Sequence, residues 1–261
     1  GIAAGGYADG LMRSGSNTAP SLAGTGTLTL TSSPEDSTAP TAKTISQLLT
    51  DSGPGTTFSD PDAGSSMSGL AIVGNTANAS TQGKWQYSVN GTTWTDVGSV
   101  GNTATTALAL SAATQVRFLS VTDYNGTPPA LSVRVLDDTY SGSFSTVGSA
   151  VFVGTTAFAS TAISPFASVY SLGTTVTPVN DAPVLTVAGP TLTAITAAQT
   201  NNTGQLVSSF ITTTDVDASA VNGIAVIGIG GSAGTWQYTT DGTNWFNVGT
   251  VGPSTALLLR S

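Results

Sequence analysis

The 261-residue chain contains no cysteine and no histidine. It therefore offers no thiolate nucleophile, no imidazole base and none of the usual zinc or iron ligand sets, which excludes most familiar hydrolase and metalloenzyme mechanisms. Disulfide bonds are excluded as well, so cysteine usage leaves the redox compartment open. We expect a protein that is not an enzyme and that carries no organic cofactor.

Charged residues are also scarce, at 8% of the chain against about 25% in an ordinary soluble domain. With 14 acidic and 6 basic residues the net charge is −8, so no positive field attracts phosphate groups and we expect no nucleic-acid partner. No apolar run reaches the roughly 18 residues of a membrane span, and no signal-peptide pattern opens the chain. We expect a mature segment that does not insert into a membrane.

Helical periodicity is nearly absent, whereas short runs of alternating or β-branched residues are common. These runs are bounded by Gly, Pro, Asn or Asp; they include Thr27–Thr31, Gln115–Val121, Ala130–Leu136 and Thr174–Val179. TISQLLTD, Thr44–Asp51, is the one stretch with the pattern of a helical turn or two. Short strands at regular spacing predict an all-β fold of tandem antiparallel immunoglobulin-like β-sandwich modules.

The chain contains an internal repeat. GKWQYSVNGTTWTDVGSVG, Gly83–Gly101, returns as GTWQYTTDGTNWFNVGTVG, Gly234–Gly252, with eleven of nineteen positions identical. Three shorter stretches recur in the same order: NTAPSL as NDAPVL, GLAIVGN as GIAVIGI, and TALAL as TALLL. The repeat predicts an N-terminal segment over 1–16 for linking or assembly, a first module over 17–179, and a second over 180–261. A Gly/Ser/Thr-rich stretch near 141–164 reads as a long loop or extra hairpin inserted in the first module.

The second copy is incomplete. Leu259 aligns with Leu110, so nothing in this copy corresponds to residues 113–179, which carry at least three predicted strands. A sandwich without those strands leaves an apolar face and an open sheet edge in water. Either the natural chain continues, or another molecule supplies the strands.

Each copy also predicts an aromatic hairpin. The dipeptides Asn90-Gly91 and Asp241-Gly242 favour two-residue type I′ turns, which place Tyr87 opposite Trp94. The aromatic residues of the two hairpins are Trp85, Tyr87, Trp94, Trp236, Tyr238 and Trp245. One interpretation makes them core anchors of the sandwich, and the other makes them an exposed platform on which sugar rings stack.

Carboxylates cluster in spite of their scarcity. SDPDAG holds Asp60 and Asp62, TDVDAS holds Asp215 and Asp217, and each pair precedes the G-[LI]-A-[IV] strand of its copy. A spacing of two lets both side chains turn towards one hard cation, as calcium prefers, and two carboxylates near the predicted module joints complete the candidate set: Asp181 and Glu35. The alternative is that each aspartate caps a turn.

The sequence also contains acceptor motifs for N-linked glycosylation. Four N-x-S/T sequons occur, at Asn78, Asn90, Asn125 and Asn201, so we consider glycosylation at these positions. The basic residues are scattered. Arg117 and Arg134 lie in predicted strands, where we expect them to pair with local carboxylates.

The order NTAPSL, SDPDAG, GLAIVGN, GKWQYSVNGTTWTDVG, ALAL, VRFLSVTDYNGTPPALSVRVLDDT and TVTPVNDAPVL resembles a known family. It is similar to the tandem cadherin-like, immunoglobulin-like (VCBS-type) repeats of large secreted bacterial surface proteins and adhesins. The resemblance implies β-sandwich modules in series, secretion to the cell surface, and often calcium at the joints. The implied ligand candidates are Asp60, Asp62, Asp181, Asp215 and Asp217.

These observations together predict a non-enzymatic extracellular structural repeat protein, a subunit of a cell-surface filament or a segment of a giant adhesin. Its expected partners are copies of itself or further repeats of the same chain. In the more specific version the incomplete second module is completed by a neighbour's strands, which gives head-to-tail assembly. The alternative function is a carbohydrate-binding adhesive module that uses exposed aromatic hairpins to bind glycans.

Overall fold

A computed structural model describes residues 17–24, 26–52, 56–103, 105–154, 168–186 and 189–261 of the chain. The chain divides into two compact units, Gly1–Val179 and Asn180–Ser261. The predicted linking segment over 1–16, and the end of the predicted insertion from 155 onward, lie outside the described residues. In the described ranges no helix is long and apolar enough to cross a membrane.

The first unit is built mainly from strands, as the alternating runs rich in β-branched residues predict. Its strands in chain order are β1 (Ser21–Ala23), β2 (Thr27–Thr29), β3 (Ser33–Pro34), β4 (Lys43–Thr44), β5 (Thr57–Ser59), β6 (Met67–Gly74), β7 (Gly83–Ser88), β8 (Thr95–Asp96), β9 (Ala107–Ser111), β10 (Gln115–Ser120), β11 (Leu131–Asp137), β12 (Phe152–Val153), β13 (Tyr170–Gly173) and β14 (Val176–Thr177). The expected all-β class is confirmed.

The helix predicted near Thr44 is also present, as α1 (Ile45–Asp51). The Thr44 hydroxyl oxygen accepts the Gln47 N–H at 3.2 Å, and the Gln47 amide oxygen accepts the Thr44 N–H at 2.9 Å. This capping box satisfies two backbone donors and fixes where the helix begins. The T-x-x-Q spacing from Thr44 to Gln47 is the sequence pattern of such a box.

Most strands of the first unit belong to two sheets. One has six strands in the order β12-β9-β6-β11-β13-β2, and the other has four in the order β4-β10-β7-β8. Two pairs are parallel, β2 with β13 and β3 with β14, which the sequence did not predict. Parallel pairing needs a long connection, and here it joins strands from opposite ends of the unit.

The two sheets of the first unit enclose one hydrophobic core. The six-stranded sheet contributes Leu70, Leu110 and Val133, and the four-stranded sheet contributes Trp85 and Phe118. Full burial of one such side chain is worth about 1.5–3 kcal/mol. The first unit is therefore sandwich-like, with the strands of both sheets holding each other in place.

The outer face of the six-stranded sheet is covered as well. Ala71, Val73 and Leu136 form a second buried cluster, against which Tyr140 and Phe144 pack. The two rings lie 5.0 Å apart between centroids. The described part of the predicted insertion thus packs against the sheet and, through β12, extends it at β9.

The second unit repeats part of this architecture. Its strands are β15 (Val184–Leu185), β16 (Thr213–Thr214), β17 (Gly223–Val226), β18 (Gln237–Tyr238), β19 (Phe246–Asn247) and β20 (Leu257–Arg260), with a 3₁₀ turn at Val207–Ser209. β17 pairs with β20 so that Ile224 lies opposite Leu259, just as β6 pairs with β9 so that Leu70 lies opposite Leu110. The two copies therefore fold in the same register.

The hairpins occur in both units, but the predicted two-residue type I′ turn is wrong. β7 pairs with β8 through Gln86 opposite Asp96 and Tyr87 opposite Thr95, so Trp94 is not opposite Tyr87. The pairing is shifted by one residue from the prediction. β18 and β19 pair in the equivalent register.

A hydrogen-bonded asparagine causes that shift. The Asn90 side-chain oxygen accepts the N–H groups of Thr92 and Thr93 at 3.0 and 2.8 Å. This local turn leaves Gly91 with a positive φ of 76°, whereas Asn90 keeps a negative φ and a type I′ turn requires both to be positive. Trp94 consequently ends up outside the core that holds Trp85.

Candidate functional site

The aromatic residues of the first hairpin are core residues. Trp85 is 1% exposed, and its ring meets Phe118 edge to face with centroids 5.3 Å apart. Its indole N–H donates to the Pro129 carbonyl oxygen at 3.0 Å. Tyr87 is also buried, and this burial raises the pKa of its hydroxyl. Phe118 and Pro129, which cover Trp85, come from a region of the first copy that has no counterpart within residues 180–261.

Trp94 lies instead on the outer face of the four-stranded sheet. The Arg117 guanidinium stacks over its ring, 3.9 Å from the centroid. The Arg117 Nε donates to the Gln86 amide oxygen at 3.0 Å, so the expected carboxylate partner is replaced by an amide and an aromatic ring. Hydrogen bonds from Gln86 and Lys84 lower the pKa of Asp96 on the same face. The side chains of Trp94, Arg117, Gln86, Asp96 and Lys84 thus form one connected network on the outer face of the sheet.

The second hairpin has the same fold but exposed rings. Trp236 is 51% exposed, Phe246 52% and Trp245 38%, although Trp236 is the repeat counterpart of the buried Trp85. Tyr238 is half-buried and faces the Phe246 ring at 5.8 Å. In the described part of the second unit no residue takes the place of Phe118 or Pro129, and the Trp236 indole reaches the Gly230 carbonyl only at 3.4 Å.

The central strand of the second unit has one free edge. β6 is flanked by β9 and β11, whereas β17 pairs with β20 alone within residues 180–186 and 189–261. We call the unpaired side of β17 the open edge. A groove of about 500 Å³ lies beside β17 and β20, lined by residues 221–225 and 258–260 with Pro183 and Thr213. Leu258 on β20 is 76% exposed, although Ala109 at the equivalent position of β9 is buried.

Comparison of the chain with known protein families, with curated proteins and with solved structures finds no match. Because no matching protein is available for comparison, the first unit serves as the reference for the second. Its Trp85, Leu70 and Leu110, the counterparts of Trp236, Ile224 and Leu259, belong to a buried core that β10 and β11 also line. The open edge and the groove are the candidate functional site.

The paired aspartates hold turns in both units. In the first, Asp60 Oδ1 accepts the Asp62 N–H at 2.8 Å, and Asp62 Oδ2 accepts the Thr18 N–H at 2.6 Å. In the second, Asp215 Oδ1 accepts the Asp217 N–H at 3.0 Å, and Asp217 Oδ2 accepts the Asp181 N–H at 2.8 Å. Each aspartate pair thus hydrogen-bonds the start of its unit to the loop before β6 or β17. Bonds of this kind are what the turn-capping interpretation predicts.

One observation at these pairs also fits a cation. Asp60 Oδ2 is buried without a hydrogen-bond partner, and a cation would satisfy that oxygen. Calcium takes six to eight oxygen ligands, however, and the Asp60 and Asp62 oxygens named above already accept backbone N–H groups. Glu35 is 3% exposed and accepts the Val179 N–H at 2.8 Å and the Asn125 amide at 3.1 Å, so it links strand ends within the first unit.

The four sequon asparagines are all exposed, at Asn78, Asn90, Asn125 and Asn201. The amide nitrogen is the atom that would carry a glycan; in Asn125 it donates to both Glu35 oxygens, and in Asn90 it donates to Thr93 Oγ1 at 3.4 Å. Arg134 Nε donates to the Asn102 amide oxygen at 3.1 Å.

The sequence did not single out Phe118, Pro129 or the residues of the groove, although the alternation in QVRFLS was the available signal for Phe118.

Proposed function

We propose that this chain is a non-enzymatic structural repeat protein of the cell exterior, built from immunoglobulin-like modules in series. It serves as a subunit of a surface filament or as a segment of a giant adhesin. The observation that carries the proposal is the open edge of β17, beside apolar side chains that the first unit buries. A duplicated module whose second copy exposes its core positions has the properties of an assembly element.

Exposed apolar surface of this kind favours association. Trp236 and Leu258 both expose more than half of their surface, and an unpaired strand edge presents free backbone N–H and C=O groups. Strand addition pairs these backbone groups and covers apolar side chains on the face of β17 that carries Ile224. Since the strands that cover and the edge that receives them are different surfaces, the contact is head-to-tail and extends without closing.

Electron microscopy of the purified chain, with sedimentation over a range of concentrations, tests the proposal. We expect assemblies that lengthen as concentration rises. Trp236→Ala removes the exposed ring and should weaken assembly at least about tenfold, because aromatic anchors dominate interfaces. Trp94→Ala is the matched control, since it removes a ring from the outer face of the first unit and should leave assembly unchanged. A chain that stays monomeric at high concentration would contradict the proposal.

Calcium at the paired aspartates is part of the same proposal. The buried Asp60 Oδ2 supports it, and the bonds that these carboxylates make to backbone N–H groups support the simpler capping role. Electron microscopy with a chelator separates the two. If calcium stiffens the chain, the chelator should make single molecules more bent, and Asp60→Asn should reproduce that effect.

The alternative function, an adhesive carbohydrate-binding module, is supported by the exposure of Trp236, Trp245 and Phe246. A flat exposed ring suits the apolar face of a sugar. The buried state of Trp85 at the equivalent position favours assembly instead. Glycan-array binding that Trp236→Ala abolishes, by a chain that does not assemble, would favour the adhesive function.

A further inference from the structure

We propose that Asn90 is a site of self-modification, at which the hairpin turn of the first unit converts the side-chain amide into the carboxylate of an aspartate. The reaction is deamidation by the neighbouring backbone nitrogen of Gly91, with water as the second reactant. The inference goes beyond the proposed function, because it needs neither assembly nor the second unit. The observation that carries it is the set of hydrogen bonds that meet at the Asn90 side chain and the Gly91 nitrogen.

The amide carbonyl of Asn90 is polarised by three donors. Its oxygen accepts the N–H groups of Thr92 at 3.0 Å and Thr93 at 2.8 Å, and the Ser88 hydroxyl at 3.1 Å. Donors at about 2.7–3.1 Å from an oxygen on which negative charge develops stabilise the tetrahedral intermediate of acyl transfer. Attack on Asn90 Cγ therefore meets a preformed oxyanion hole. Asn90 is also exposed, so water has access to the carbonyl.

The Gly91 nitrogen is the attacking atom. It is bonded to the backbone carbonyl carbon of Asn90, so its attack on the side-chain carbon of the same residue closes a small ring, a succinimide, at high effective concentration. Glycine has no Cβ, which leaves space around the nitrogen and lets the backbone rotate towards the side chain. The Gly91 N–H donates to Ser88 Oγ at 3.0 Å, so a proton acceptor is already in contact.

Ser88 contacts both ends of the reaction. Its Oγ accepts the Gly91 N–H and donates to the Asn90 side-chain oxygen. The residue is 1% exposed, so packing holds its hydroxyl in place. As the Gly91 nitrogen bonds to Asn90 Cγ, its proton passes to Ser88 Oγ, and the Ser88 hydroxyl proton passes to the Asn90 oxygen. Ser88 is thus regenerated, and it acts as both general base and general acid.

The remaining steps conserve every atom. When the tetrahedral intermediate collapses, the carbonyl forms again, the bond from Cγ to the amide nitrogen breaks, and that nitrogen leaves as ammonia with the proton from the Asn90 oxygen. Water then adds to Cγ of the succinimide, the bond from Cγ to the Gly91 nitrogen breaks, and that nitrogen regains a proton. The net change converts asparagine and water into aspartate and ammonia. Because the same three donors polarise Cγ in the second step, hydrolysis to aspartate is favoured over hydrolysis at the backbone carbon, which gives isoaspartate.

The second hairpin shows that this turn accepts the product. Asp241 is the repeat counterpart of Asn90, and its Oδ1 accepts two backbone N–H groups at 2.9 and 2.8 Å. Thr239 lies in the place of Ser88: its hydroxyl donates to Asp241 Oδ1 and accepts the Gly242 N–H, each at 3.0 Å. The deamidated first turn is therefore one that the chain already contains in its second unit.

The first unit also contains a matched control for the reaction. Two other Asn-Gly pairs occur, at Asn125 and Asn222, and Asn125 belongs to the same unit as Asn90. The Asn125 amide nitrogen donates to both Glu35 oxygens, and the N–H of the glycine that follows donates to the Val176 carbonyl at 2.9 Å. That nitrogen would have to leave a β-bridge before it could attack. We therefore expect Asn125 to react slowly in the folded chain.

Deamidation changes two properties of the exposed hairpin. It adds a negative charge to a chain whose net charge is already −8. It also removes the N-G-T sequon at Asn90, because the glycan acceptor is the amide nitrogen that leaves as ammonia. The reaction therefore removes a glycosylation site permanently, and only chains glycosylated before it occurs can carry a glycan at this turn.

Peptide mapping of the full chain, purified from a host without N-glycosylation and incubated at mildly alkaline pH, tests the inference. Mass spectrometry follows the acidic fraction at each Asn-Gly pair, with the Asn90→Asp variant as the standard for the product. We expect Asn90 to react at least about tenfold faster than Asn125 in the same folded sample, because general acid–base catalysis contributes about a hundredfold or more. Unfolding the chain in guanidinium chloride removes the turn, so the rate at Asn90 should fall.

Ser88 variants separate catalysis from packing. Ser88→Ala removes the hydroxyl that contacts both reacting groups and should slow deamidation of Asn90 at least about tenfold. Ser88→Thr keeps a hydroxyl, as Thr239 does in the second turn, and should retain most of the wild-type rate. A serine with a purely structural role predicts the opposite for Ser88→Ala, because a looser turn exposes the amide to attack. The rate at Asn125 identifies a variant that has unfolded, since unfolding breaks the β-bridge that protects it.

Any of four results overturns the inference. Asn90 that reacts no faster than Asn125 shows that the turn does not promote the reaction. A higher rate at Asn90 in the unfolded chain shows that the turn protects the amide. An unchanged or higher rate in folded Ser88→Ala removes the role of the hydroxyl. Isoaspartate in excess of aspartate shows that the three donors do not direct hydrolysis to Cγ. None of these results affects the proposed function, which electron microscopy tests separately.

Discussion

The two hairpin turns contain the same side-chain to backbone hydrogen bonds, made by different residues. Asn90 and Asp241 occupy the same position, and each side-chain oxygen accepts two backbone N–H groups from the following residues. The backbone N–H and side-chain amide of Asn244, then the Thr243 N–H, lower the pKa of Asp241 well below the ordinary aspartate value. The second turn is therefore held by a charge and the first by a neutral amide.

This equivalence predicts that Asn90→Asp is tolerated. At pH 7 the free energy of unfolding of the first unit should stay within about 0.5 kcal/mol of the wild-type value. The introduced carboxyl inherits the two backbone donors, so its pKa should fall below the ordinary value of about 3.9. An NMR titration of the side-chain carbonyl carbon measures it.

The pH dependence has a definite sign. A carboxyl whose pKa is lower in the folded state stabilises the fold above its unfolded pKa, and this stabilisation is lost as the pH falls through the folded pKa. Asn90→Asp should therefore make the first turn acid-sensitive, and Asp241→Asn should remove the acid sensitivity of the second. An introduced carboxyl that titrates at or above the ordinary value would contradict this account.

At the scale of elements, alternation in the sequence predicted the strands well. β10 and β11 lie where QVRFLS and LSVRVL indicate, because one face of each strand must be apolar to enter the core. The hairpin register was not predictable from the Asn-Gly dipeptide, since the Asn90 side chain forms a turn that competes with type I′ geometry. The parallel pairing of β2 with β13 depends on contacts between distant parts of the chain, which local patterns do not encode.

Close packing at one glycine predicts a sensitive position in β6. A Cβ at Gly69 would lie 2.1 Å from the Leu110 carbonyl oxygen of β9, so the strands would have to separate. We expect Gly69→Ala to lower the free energy of unfolding of the first unit by about 1–3 kcal/mol, as overpacking does. Urea denaturation followed by far-UV circular dichroism measures the change.

Gly173 in β13 is the matched control for that substitution. A Cβ there would meet the Ala130 side chain at 3.8 Å, an ordinary contact, so Gly173→Ala should change stability by less than about 1 kcal/mol. The counterpart in β17, Gly223, would bring a Cβ within 2.6 Å of the Leu259 carbonyl oxygen. Equal effects of Gly69→Ala and Gly173→Ala would show that the β6–β9 spacing is more tolerant than its geometry indicates.

At the scale of the whole molecule the two units differ in how much core they have. Among the described residues nearly every buried large apolar side chain belongs to the first unit, and Ile211 is the second unit's representative. The free energy of unfolding is the small difference between the free energy gained by burial and the conformational entropy lost on folding. We therefore expect the stability of a unit that buries few side chains to depend on a bound partner. The repeat indicated this contrast, because residues 180–261 contain no counterpart of the strands that cover the core in the first copy.

Native-state hydrogen exchange should reveal that contrast directly. In the monomeric chain the amides of β17 and β20 should exchange at least about 100-fold faster than those of β6 and β11, because local opening needs less free energy where fewer side chains are buried. Once the chain has assembled, protection of β17 should rise while that of β6 stays constant, since a partner stabilises only the state to which it binds. Mass spectrometry of peptic fragments resolves the two strands. Equal protection of β17 and β6 in the monomer would mean that the second unit is stable without a partner strand, and the open edge would then have no stabilising role.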